Sequence, residues 1–163
     1  MGTLINLISG LVNKNNKLAQ LLKIAVWNAN SLCQHAQEIK LFLQTFKLDI
    51  LLVSETHFTT KNYITLPNYN IYYTNHPDER AHGGTAVIII QNIKHYVRAQ
   101  YRHENIQATS PAIEDNTGET TVSGIYCPPK YHNKYDDYDR FFKTLGNRFI
   151  AERDYKYNAK NIF

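Results

Sequence analysis

Wherever an apolar run of this sequence stops, it stops on groups able to bind a cation or touch a phosphate. "KIAVWNA" carries Trp27 and Asn28, with Asn30 just beyond; "ILLVSETH" ends on Glu55 and His57. "SGIYCPP" delivers Tyr126, and "RFIAERD" delivers Asp154, with Asn158 a short step further on. An asparagine, a glutamate and an aspartate gathered at one sheet edge make an all-oxygen donor set. Such a set suits a hard divalent cation such as Mg²⁺, which takes one or two carboxylates and shares the rest of its shell with phosphate oxygens. The pattern points to phosphoryl chemistry.

Each residue also has an ordinary reading. A lone Glu55 at a strand tip is a solvated carboxylate unless other groups converge on it. His57 has no second histidine at ligand spacing beside it, which favours a loop position. Trp27 and the tyrosines of "YNIYYT" read as packing residues before they read as platforms for nucleobases. Lys130, Lys134, Arg140 and Lys143 read as a solvated helix face rather than a phosphate track. Gly83 and Gly84 read as a tight turn into a strand.

Apolar periodicity shows which elements must position these groups. "KIAVWNA" and "ILLVS" are short apolar strands, and Ala36, Ile39, Phe42, Leu43 and Phe46 recur between them at helical spacing. Strand, amphipathic helix and strand make a βαβ unit, so this part of the sheet is expected to be parallel and covered. "YNIYYT", "GGTAVIII", "ENIQATSPAIED" and "GETTVSGIYC" are further strands, with "NTG" as the turn between the last two. A second helix carries Tyr135, Tyr138, Phe141, Phe142 and Leu145 on one face and stops at Gly146. The overall expectation is an α/β domain.

Bulk properties narrow the class. At 163 residues the chain has the size of one domain, and its net charge of +4 permits a polyanionic partner without the basic stripe of a dedicated nucleic-acid binder. Cys33 and Cys127 match no metal or redox spacing, which suggests a reducing intracellular setting. The apolar start "MGTLINLISGLV" has Asn6 where a myristoylation signal needs Ser or Thr, lacks a leading positive charge, and is too short to span a bilayer. Residues 1–21 are therefore expected to be a leader or appended helix, residues 22–163 the domain, and no membrane partner is expected.

Five stretches in order, "AVWNANSL", "DILLVSETHF", "HGGTAVIII", "IYCPPKY" and "FFKTLGNRFIA", closely resemble the endonuclease domain of Jockey-like non-LTR (LINE) retrotransposons, over about residues 22–160. The resemblance implies the endonuclease/exonuclease/phosphatase fold, a four-layer α/β sandwich of two sheets between helices. It also implies Mg²⁺ or Mn²⁺ as cofactor and DNA as partner. One target strand would be nicked, and the new 3′-hydroxyl would prime a reverse transcriptase domain, in the nucleus with passage through the cytoplasm. By the same resemblance Asn28 supports the metal and the scissile phosphate, Glu55 and Asp154 bind metal, and Tyr126 approaches the phosphate. Asp154 would also help to activate the water, while Asn158 orients the phosphate.

Two departures from the family pattern alter the expected activity. In "AERDYKYNAK" Asp154 and Asn158 stand two residues further apart than the family's aspartate and asparagine, so aligning Asn158 puts Lys156 in the aspartate's place. Two residues of extended chain are about 6.6 Å, against a tolerance of about 0.5 Å in a working site. The chain also ends at Phe163, ahead of the family's Ser-Asp-His region. The sandwich is accordingly expected to be incomplete at its C-terminus and nicking to be weak. Two other readings stand beside the endonuclease: a non-catalytic remnant that binds nucleic acid or protein, and a small-molecule phosphoesterase.

Overall fold

The computed structural model describes residues 5–9, 22–115 and 118–154. In chain order these form β1 (Ile5–Ser9), β2 (Lys23–Asn28), a 3₁₀ turn at Leu32–His35 leading into α1 (Ala36–Phe46), β3 (Ile50–Ser54), β4 (Tyr69–Thr74) and β5 (Thr85–Ile90). There follow β6 (His95–Val97), β7 (Tyr101–Arg102), β8 (Gln107–Thr109), β9 (Pro111–Asp115), β10 (Gly118–Tyr126), α2 (Tyr135–Lys143) and β11 (Phe149–Asp154). One sheet has the order β1-β2-β3-β5-β4 and the other β6-β9-β10-β8-β7, with β11 added to β10. Each sheet is drawn from one continuous stretch of chain, the first ending before His95 and the second starting there.

The first sheet is buried on both faces, and its period-2 alternation divides the core. Ala25, Leu51, Val53, Ala86 and Ile88 face α1, where they pack with Ile39 and Leu43. Their neighbours Ile24, Ile50, Leu52, Val87 and Ile89 face the second sheet and meet Ile113 and Val122. A third cluster, of Ile106, Ala108, Ile125, Phe141 and Leu145, holds α2 against the far side of that sheet. The order of layers is therefore helix, sheet, sheet, helix.

Parallel pairing occurs where the βαβ reading places it, between β2 and β3, and again between β10 and β11. The predicted hairpin partners of β10 are two strands rather than one, because the chain breaks at Ser110 between β8 and β9. Its turn residues Asn116 and Thr117 lie outside the described residues. Gly124 lets the sheets approach: a Cβ there would stand 3.2 Å from the Ala86 carbonyl oxygen and 3.6 Å from the backbone of Val53.

Three expectations are corrected. Ile5–Ser9, expected in a leader or helix outside the domain, is a strand paired antiparallel with β2, which satisfies backbone groups that an edge would leave open. Phe46, assigned to the buried face of α1, is about half exposed in the helix's last turn, where it packs on Phe42, and Tyr135 at the first position of α2 is exposed. Among the described residues no helix is long and apolar enough to cross a membrane.

Candidate active site at the strand ends

The site grows from the last rung of β2 and β3, where Asn28 pairs with Ser54. Bonding continues past both strands: the amides of Ala29, Ser31 and Leu32 donate to the carbonyls of Ser54 (3.0 Å), Glu55 (2.9 Å) and Thr56 (2.9 Å). These bonds hold a backbone that is otherwise unfavourable. Asn30, Ser31, Glu55 and His57 all have positive φ, at 41°, 88°, 53° and 54°. Non-glycine residues in this region cost of order 1–3 kcal/mol each and persist only where surrounding bonds over-determine them.

The alternation of φ after β3 turns Glu55 inward, leaving it 4% exposed. The bland expectation of a solvated strand tip therefore does not hold for this carboxylate. Asn28 is half-buried, and its Oδ1 accepts from the Asn30 amide at 3.1 Å, which fixes the side-chain amide.

The second sheet reaches the same edge through the glycine pair before β5. Gly83 and Gly84 accept the amides of His57 (3.0 Å) and Thr56 (3.3 Å) on their carbonyls. On its other side Gly83 lies against the Tyr126 ring, so close that a Cβ would come within 3.1 Å of Cε1. Gln107, fully buried in β8, accepts the Gly84 amide on Oε1 at 2.7 Å. Asn28, Glu55 and Tyr126 thus belong to one knitted edge. Asp154 pairs in register with Tyr126 across the parallel β10–β11 ladder, so its backbone stands at the same level. Asn158 lies outside the described residues.

Between the sheets below this edge the apolar core gives way to hydroxyls. Thr74 Oγ1 donates to the Ala108 carbonyl at 3.0 Å, Thr109 Oγ1 donates to Thr74 Oγ1 at 2.9 Å, and Thr85 and Thr109 share a bond at 2.8 Å. Gln107 and these threonines are positioning residues that periodicity does not single out. Their only sequence signal is polar side chains inside strands that are otherwise built for burial.

The glycine pair supplies a prediction. At Gly84 φ is +77°, and a Cβ would stand 2.7 Å from Thr56 Oγ1 and 3.1 Å from the Thr74 carbonyl oxygen. Gly84→Ala combines a left-handed alanine with overpacking and is expected to destabilise the fold by about 2–3 kcal/mol, measured as a shift of the urea midpoint.

The other expected residues take their ordinary roles. Trp27 packs on the α1 side of the first sheet, with its ring edge to Phe42 at 6.2 Å. Arg140 and Lys143 pair with Asp137 and Asp139 on the exposed face of α2. Cys33 and Cys127 form no disulfide, and burial pushes the Cys33 thiol up, away from a reactive thiolate.

This architecture has clear counterparts among solved structures. The catalytic domain of Xenopus laevis APE2 matches with a TM-score of 0.56 at 17% identity, covering 82% of this chain and 58% of that one. An AP endonuclease from Leishmania major matches at 0.57 and 11% identity, covering 88% and 50%. The endonuclease domain of TRAS1, a telomere-specific non-LTR retrotransposon, matches at 0.57 and 17% identity, covering 80% and 58%. The chain has the AP-endonuclease-like fold of the endonuclease/exonuclease/phosphatase domains.

No family model matches it. Curated relatives are nearer in sequence. The RNA-directed DNA polymerase from mobile element jockey of Drosophila melanogaster is 36% identical over 142 residues, and that of Drosophila funebris 31% identical over 142 residues. Each alignment takes in 87% of this chain, which spans only 15% of either relative. Over this stretch the chain is related in sequence to the jockey polymerases, and its fold is that of the TRAS1 endonuclease domain.

Proposed function

We propose that this chain is a divalent-cation-dependent DNA endonuclease that hydrolyses one phosphodiester bond in one strand. The observation carrying the proposal is the knitted edge that gathers Asn28, the buried Glu55 and the Tyr126 ring. Asn28 Oδ1 and the Glu55 carboxylate are hard oxygen donors, as Mg²⁺ or Mn²⁺ requires, and Asp154 at the tip of β11 is assigned as the third. When bound, the cation supplies positive charge beside the scissile phosphate.

The chain's own groups do the rest. Tyr126 donates its hydroxyl to a phosphate oxygen, Asp154 takes a proton from the attacking water, and Asn158 orients the phosphate. The fixed backbone around Glu55 and Asn28 keeps the donors in place before the substrate arrives. In the full-length relatives, the 3′-hydroxyl so released is assigned to a reverse transcriptase domain elsewhere in the polypeptide, acting on nuclear DNA.

Supercoiled plasmid tests the proposal. The purified chain is expected to convert it to open circles with Mg²⁺ and to leave it intact with EDTA. A second reading, a fold that binds nucleic acid without cutting it, is favoured by the spacing of Asp154 and Asn158 in "AERDYKYNAK". Salt-dependent binding to the plasmid with no open circles in Mg²⁺ would select that reading over the first.

A further inference from the structure

The loop between β4 and β5 holds a second set of metal-ligating groups, apart from the strand-end carboxylates. His76, Asp78 and His82 are spaced His-x-Asp-x₃-His, and one ligand atom from each lies within 4.8 Å of the other two. His82 Nε2 stands 3.0 Å and 2.9 Å from the two Asp78 oxygens, and His76 Nδ1 stands 2.8 Å from Oδ1. The two imidazole rings pack against each other, 3.9 Å apart at their centroids and tilted by 37°.

Protons alone serve this cluster poorly. His76 Nδ1 is also 3.3 Å from the Asp78 backbone N–H, which needs a lone pair there, while the carboxylate oxygen at 2.8 Å needs a proton. One nitrogen cannot supply both. The His76 side chain is only 6% exposed, and its Nε2 is buried with no hydrogen-bond partner among the described residues. A cation between Nδ1 and the carboxylate oxygen replaces the shorter of the two Nδ1 contacts with coordination to both atoms. The Arg80 amide donates to Asp78 Oδ1 at 3.0 Å, which holds the carboxylate in place between the two imidazoles.

We infer that His76, Asp78 and His82 form a binding site for a Zn²⁺-type transition-metal ion that fixes the β4–β5 loop. Two imidazoles and one carboxylate are the donors of borderline ions such as Zn²⁺, in contrast to the all-oxygen set at Glu55. Three protein ligands leave a position for water, and His82 is exposed, which opens the site to solvent. The loop is anchored from the second sheet, where Arg102 Nη2 donates to the carbonyls of His76 (3.0 Å) and Pro77 (3.2 Å) and pairs with Glu79. Gly83 follows His82 directly and lies against Tyr126, so a metal here stiffens one wall of the strand-end site.

The test is metal binding to the full chain after EDTA stripping. Co²⁺ is expected to give the visible d–d bands of a low-coordinate nitrogen and oxygen site, which Zn²⁺ then removes and excess Mg²⁺ does not. His82→Ala, at an exposed position, and the isosteric Asp78→Asn should each weaken Zn²⁺ binding by at least roughly 100-fold. Glu55→Gln should leave Zn²⁺ binding unchanged, which keeps this result separate from the fate of the nicking assay. Absence of the bands, thiolate charge-transfer bands from Cys33 or Cys127, or binding lost in Glu55→Gln but retained in the loop variants would overturn the inference.

Discussion

Glu55→Gln is expected to lower Mg²⁺-dependent nicking by about 10³-fold while leaving the fold intact. The substitution keeps the side chain's shape and its demand on a backbone already at φ 53°, and removes only the charge. Under the proposed mechanism the Glu55 carboxylate, 4% exposed, holds the cation, and stabilisation lent through a metal is worth several kcal/mol. About 4 kcal/mol at 1.36 kcal/mol per decade gives the expected loss. Single-turnover nicking at saturating Mg²⁺ measures it. Removing a buried charge should also hold or raise the thermal midpoint, and lost activity with retained or gained stability is the mark of a functional carboxylate. A nicking rate equal to that of the unaltered chain would remove Glu55 from the mechanism.

Phe141→Ala is expected to be the most destabilising single truncation on the second sheet, by about 3–5 kcal/mol. Phe141 is fully buried, meets Tyr101 edge to face at 5.0 Å, and with Leu145 carries the contact between α2 and the sheet. The chain beyond α2 depends on that contact. Thr121 Oγ1 in β10 donates to the Leu145 carbonyl at 2.7 Å, and the Thr121 amide donates to the Arg148 carbonyl at 2.9 Å, which brings β11 alongside β10. Against a total stability of about 5–15 kcal/mol, a loss of this size moves the urea midpoint to a small fraction of its original value or removes the transition.

Elements with long apolar runs or clear periods were legible in the sequence. The helix through Ile39 and Leu43 and the strands of "ILLVS" and "TAVIII" announce themselves, because residues buried on both faces must be apolar throughout. His95–Val97 and Tyr101–Arg102 were not, being short strands with no apolar alternation whose pairing is decided by β9 and β8. Within the site, residue types were legible and conformation was not. That Glu55 lies inside rather than in solvent follows from positive φ values held by bonds to Gly83, Gly84 and the loop after β2, all distant in sequence. The His76–Asp78–His82 cluster left a ligand spacing as its only trace, and that spacing has meaning only once a turn closes it.

The separation of the two sheets along the chain has a bearing on synthesis. Every described strand of the first sheet is synthesised before the second begins, and its βαβ unit can pair ahead of it. Its inner face of Ile24, Ile50, Leu52, Val87 and Ile89 then waits for Ile113, Val122 and Ile150. At about 5–20 residues per second, the stretch from Ile89 to Ile150 takes roughly 3 to 12 s to translate. Throughout that interval a nascent chain carries an uncovered apolar sheet, and it is then, rather than after completion, that this domain is most open to chaperone capture or to pairing with its neighbours on the same message.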